Sequence, residues 1–219
     1  MQALALGAFA MTHPSDIERI VEEAIHSVIV VFDPNYSISY RDCAEVLRLL
    51  AEKISLAPCA PALRNKLMVR TKAQLASLAY EVGDNAAAER TTAEILALAS
   101  PEEPDFLAMV MIRVKALHAL GRHEEEIADV LRYACREKMD GHGLVHLLAY
   151  VVKRHPGKVE LDEALLTRVR AFVRDSSELA RRLSLQGLDE GDPGEYVLAV
   201  AQAAREINLE MTAEILGES

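Results

Sequence analysis

Gly83-Asp84-Asn85-Ala86-Ala87-Ala88-Glu89 returns in outline as Gly121-Arg122-His123-Glu124-Glu125-Glu126-Ile127, and a weaker third copy opens Gly157-Lys158-Val159-Glu160. The glycines stand 38 and then 36 residues apart. An apolar pattern of helical period precedes and follows each of the first two copies. A repeat of that length, with a helix on either side of a glycine turn, describes stacked helical hairpins that bury a core only against one another.

Working outward from the repeat, the same periodicity fills the chain. Ser15-Asp16-Ile17-Glu18 has the form of a capping box, and Ile17, Ile20, Val21, Ala24, Ile25, Val28 and Ile29 mark one apolar face behind it. Asp33-Pro34-Asn35 ends that helix. A second helix runs over 39–55 with Cys43, Val46, Leu47, Leu50 and Ile54 inward. A third over 62–82 ends at Gly83, and a fourth over 86–98 is capped by Asn85. Ser100-Pro101-Glu102-Glu103 opens a fifth that ends at Gly121. A sixth runs over 124–138, a seventh to Arg154, an eighth over 161–174 and a ninth over 176–187. A tenth begins at Asp192-Pro193-Gly194-Glu195 and runs to Leu216. Ten helices make five hairpins, and no linker divides them. The expected organisation is an N-terminal arm over 1–14 and one all-α helical repeat domain over 15–217.

The repeat resembles the tetratricopeptide (TPR) repeat over roughly residues 62–174. Leu75, Ala76, Ala79, Gly83 and Ala88 match the family's helix, turn glycine and the small residue five positions beyond it. The second copy keeps Gly121 but departs at Val114 and at Glu126, where a small residue is usual. The resemblance implies a TPR-like α-α superhelix and a non-catalytic scaffold, adaptor or chaperone that holds a partner peptide or helix along a concave face. On that alignment the inner face carries Arg70, Gln74, Ser77 and Tyr80, then Met111, Ile112, Lys115 and His118, then Leu144, Leu148, Val151 and Arg154. Arg70, Gln74, Ser77, Lys115 and His118 are the implied partner contacts. The wall passes from basic to apolar, which suits an amphipathic helix with an acidic end. Equally, the protein's own last helix can fill the apolar part.

Composition sets the remaining limits. Of 219 residues, 51% are apolar, 5% are aromatic and none is Trp, with Ala and Leu abundant, which favours helix over strand. The net charge of −10 repels phosphate backbones and argues against nucleic-acid binding. Arg64, Lys66, Arg70 and Lys72 cluster without an acid among them, either as a solvated helix face or as an acidic-partner site. Arg168, Arg170, Arg174, Arg181 and Arg182 form a second basic run, read as an ordinary amphipathic helix. Three cysteines are too few for a disulfide framework, so a reducing, cytoplasmic setting is expected, with Cys135 as a buried core thiol. The apolar N-terminus is too short to span a bilayer and lacks the basic start of a secretory signal.

No phosphate loop or nucleophile elbow is present. His142 and His146 lie one helical turn apart, but Gly143 stands where a zincin would carry its glutamate, and His146 is expected to pack among apolar neighbours. His118 and His123 flank Gly121 as turn and cap residues, and Glu124–Glu126 read as a helix start rather than a catalytic carboxylate pair. The expectation is therefore no enzyme, no cofactor, no metal and no membrane, with a protein partner and a possible homo-oligomer. The alternatives are a ligand-sensing bundle with an internal pocket and a small metal-dependent enzyme built on His142 and His146.

Overall fold

The computed structural model describes residues 14–31, 39–102, 105–185, 187–188 and 191–216. The expected N-terminal arm up to residue 13 and the Asp33-Pro34-Asn35 stop lie outside them. The described residues form helices and the turns between them, without a strand: α1 Pro14–Val31, α2 Tyr40–Leu56, α3 Pro61–Glu81, α4 Asn85–Leu96, α5 Phe106–Ala119, α6 His123–Ala134, α7 Gly141–Arg154, α8 Glu163–Asp175, α9 Ser177–Leu183 and α10 Pro193–Leu216. None of them is long and apolar enough to cross a membrane. The chain divides into two compact units, Met1–Arg122 and His123–Ser219.

The first unit is organised by α3, which packs against α1, α2, α4 and α5, while α4 also packs against α5. On one side large side chains make the core: Ile17, Val21 and Ile25 of α1, Leu47, Leu50 and Ile54 of α2, and Leu67 and Leu78 of α3. Each such side chain, fully buried, stabilises the fold by about 1.5–3 kcal/mol relative to exposure. Towards α4 and α5 the contact is made instead by Ala79, Ala88 and Ala116, all fully buried in one small cluster. Three alanines contribute little area, so this side depends on close backbone approach and dense packing.

The turn glycines behave as the repeat requires. Gly83 and Gly121 adopt φ of +79° and +72°, a region where a side chain costs about 1–2 kcal/mol. Around Gly83, its own N–H bonds Tyr80 O and the Asp84 N–H bonds Ala79 O; around Gly121, the partners are His118 O and, from Arg122 N–H, Leu117 O. Both are the Schellman arrangement, which satisfies the last free carbonyls of α3 and α5. Gly157 also has positive φ, at +71°, but closes a different turn, Lys158 N–H to His155 O.

The second unit is organised by α7, which packs on α6, α8 and α10, with α9 against α8 and α10. Leu144, Leu147, Leu148 and Val151 are buried at its centre. The apolar positions expected on an open inner wall are thus core positions, and the last helix covers α7. A side chain at Gly194 would come within 2.9 Å of Val152, so the glycine permits α10 to start against α7. Arg168 of α8 donates to the carbonyls of Ala134, Arg136 and Met139, at 2.5, 3.2 and 2.9 Å, closing the chain that leaves α6.

Four local expectations are corrected. Asp84, not Asn85, caps α4, its carboxylate accepting from Ala87 N–H at 3.1 Å. The fifth helix begins at Phe106, with Pro101 in a preceding turn. The sixth stops at Ala134, so Cys135 is exposed rather than a core thiol. The ninth stops at Leu183, where Ser184 takes φ of +44°.

Candidate functional site

The basic strip on α3 is answered within its own unit. Lys66 pairs with Glu18 at 2.6 Å, Arg70 pairs with Glu22, and Lys72 pairs with Glu94. The Lys66 ammonium beside Glu18 holds that carboxyl below its usual range. Arg64 donates to the carbonyls of Ala57 and Cys59, so it ties the α2–α3 loop to α3. Of the residues implied as partner contacts, Arg70 is exposed, while Gln74, Ser77, Lys115 and His118 are half-buried; the first three lie on α3 and the last two on α5. Met111, expected beside them on the inner face, is buried.

Where Lys72 ends the strip, a cleft of about 250 Å³ opens between α2, α3 and α4. Its apolar lining includes Leu47, Ala51 and Leu75, and its charged lining is Arg48, Lys72 and Glu94. Nearby, Arg113 of α5 is nearly buried against Glu89 of α4, bonding its carboxylate at 2.6 Å and its carbonyl at 3.0 Å. Arg122 reaches the other oxygen of Glu89 at 3.5 Å. A buried carboxylate needs such charge to offset its desolvation, and this pair fastens α5 to α4 beside the alanine cluster.

The second unit holds a polar cluster of another kind. Glu126 is fully buried in the first turn of α6, while its neighbours Glu124 and Glu125 are exposed. Its Oε2 lies 3.3 Å from His123 Nδ1 and 3.0 Å from His155 Nε2. The two imidazole centroids are 5.3 Å apart. His123 shares a helix face with Glu126 by its spacing of three. His155 is the C-cap of α7, its N–H on Val151 O, and the Gly157 turn closes directly behind it. His155 is buried at 6% exposure, whereas the His123 side chain is 51% exposed.

The helix start read at Glu124–Glu126 therefore has two faces, and the third glutamate belongs to the interior. The signal for this lay in spacing: Glu126 stands in line with Val130, Tyr133 and Ala134, all buried. The other histidine pair, His142 and His146, lies one turn apart on α7. His142 packs edge-on to Phe172 at 4.9 Å, and His146 is exposed instead of packed among its apolar neighbours. The second basic run is also engaged locally: Arg170 meets Glu163, and Arg181 and Arg182 both meet Glu178. These guanidinium groups hold the Glu178 carboxyl down at about 2.

Comparison with protein-family models, with curated proteins and with solved structures finds no match to this chain.

Proposed function

We propose that this protein is a non-catalytic interaction module of TPR-like build, and that its first unit seats one apolar side chain of a partner peptide or helix in the α2–α3–α4 cleft. Support for the build comes from three neighbouring facts: the paired Schellman turns, the successive packing of α3, α4 and α5 with α3 also touching α5, and the alanine cluster where they meet. Each is what stacked hairpins with nearest-neighbour contacts require.

The observation that carries the function is the cleft. Its volume of about 250 Å³ falls below the roughly 300–1,000 Å³ of pockets that enclose a free small ligand. A single anchor side chain with the rest of its chain outside suits it better, which favours peptide binding over ligand sensing. Arg48 and Lys72 on its lining would meet an acidic group beside the anchor. Lys72 is held by Glu94 in a half-exposed pair, and surface pairs are worth at most about 1 kcal/mol, so an incoming carboxylate can displace Glu94. Arg70, already matched by Glu22, and Lys115 of α5 are secondary contacts in this reading.

Selection of binders from a displayed random-peptide library tests it. Peptides combining an aliphatic or aromatic anchor with a neighbouring acid are expected. Their affinity should fall at least tenfold on the Arg48→Glu, Lys72→Glu double variant, with an unchanged melting temperature. Peptides that bind this variant as well as the parent protein would refute the cleft.

A further inference from the structure

We propose that His123, Glu126 and His155 form a binding site for a divalent transition-metal ion of the zinc class. Two imidazole nitrogens and a carboxylate oxygen converge from the start of α6 and the end of α7, and all three donor atoms lie within 4.8 Å of one another. The separations from Glu126 Oε2, 3.0 Å to His155 and 3.3 Å to His123, match the edge of a tetrahedron. For metal–donor bonds of about 2.0–2.1 Å that edge is roughly 3.3 Å. An ion near the middle of the three would therefore reach each donor with small side-chain movements.

The chemistry of the donors selects the ion. Imidazole is a poor ligand for calcium and magnesium, which take oxygen donors. Two imidazoles and one carboxylate suit zinc and its first-row neighbours. Burial favours the same conclusion. Glu126 exposes no surface, and a carboxylate withdrawn from water is retained where positive charge accompanies it. A dication between Glu126 and the imidazoles supplies that charge. His123, half exposed, gives the ion a route in from solvent.

The placement has a mechanical consequence. His155 ends α7 and is held by the Val151 carbonyl and the Gly157 turn, while His123 and Glu126 begin α6. A bound ion clasps the open ends of the α6–α7 hairpin.

The full chain, stripped with a chelator and dialysed against zinc chloride, is the test, read by elemental analysis, by calorimetric titration and by the visible absorption of Co(II) as a replacement ion. One equivalent of zinc is expected, with a Co(II) spectrum of tetrahedral intensity and a melting temperature that rises with zinc by mass action. His123→Ala should weaken binding at least tenfold, and His155→Gln by a hundredfold or more. The His142→Ala, His146→Ala double variant should bind as the parent does. Because His123 is exposed, its variant is expected to fold even if the His155 variant does not, and it then decides alone. No saturable zinc uptake, or uptake unchanged in His123→Ala, would overturn the site. Loss in the His142, His146 variant instead would place the zinc on surface histidines and overturn it equally.

Discussion

Ala88 and Glu126 occupy the same place in two copies of one motif, five residues after a turn glycine, and neither exposes any surface. The first lies among Ala79 and Ala116, where three helices close on methyl groups. The second lies among two imidazoles. The backbone up to each position is alike, because Gly83 and Gly121 make the same pair of Schellman bonds. One motif can thus deliver a buried position to opposite uses. What differs is whether the surroundings supply partners for a charged group.

Exchanging the two environments breaks the comparison most severely. Ala88→Glu would force a carboxylate into a space closed on methyl groups, and should destabilise the first unit by more than about 4 kcal/mol. Urea unfolding followed by circular dichroism reads this, and a loss under 1 kcal/mol would mean that the alanine cluster is not tightly packed.

The central helices sharpen the contrast next. Leu148→Ala removes a fully buried side chain from the middle of α7 and should cost about 2–5 kcal/mol. A shift in urea midpoint well below that range would show that α7 is not the organising helix of its unit.

A smaller effect tests the shared turn. Gly83→Ala and Gly121→Ala each place a methyl group at positive φ with no neighbour within 4 Å, so only backbone strain contributes, about 1–2 kcal/mol. The two losses should agree closely if the caps are equivalent. Unequal losses would separate the copies.

The smallest effect is a titration. Glu178, exposed and bonded by Arg181 and Arg182, has a carboxyl lowered to about 2. Its folded value lies below the unfolded one, so its contribution is present above the ordinary carboxylate range and is lost as pH falls towards 2. Carbon-detected NMR should find its midpoint well below that of the other exposed carboxylates, and Arg182→Gln should move it upward.

Much of this build was legible in the sequence. The helical period placed ten helices, most of them within a few residues of their observed bounds, and the repeat glycines Gly83 and Gly121 end helices at positive φ. Cys135 shows where pattern reading slipped. Counting only apolar residues puts Ile127, Leu131, Ala134 and Cys135 on the inner face of α6; Ala134 is buried there, but the rest of the buried line is Glu126, Asp129, Val130 and Tyr133. A charged residue on the buried face rotated the expected stripe by one residue. The same residue had already departed from the repeat pattern, which wants a small side chain at that position. His155 was beyond reach for another reason: 29 residues separate it from Glu126, and only the fold of α6 on α7 brings them together. The acids that answer the α3 strip were hidden likewise, since Glu18 and Glu22 stand 48 residues away from Lys66 and Arg70.

Arg168 gives the second unit an order of assembly during synthesis. The carbonyls after α6 that its guanidinium closes include that of Ala134, 34 residues earlier in the chain. At about 5–20 residues per second, those carbonyls leave the ribosome roughly 2–7 s before the side chain that will cover them. Water must hold them through that interval, so the α6–α7 hairpin emerges with its exit loop unfastened. A translational pause between α7 and α8 would lengthen the exposure, while a fast passage through those codons would shorten it.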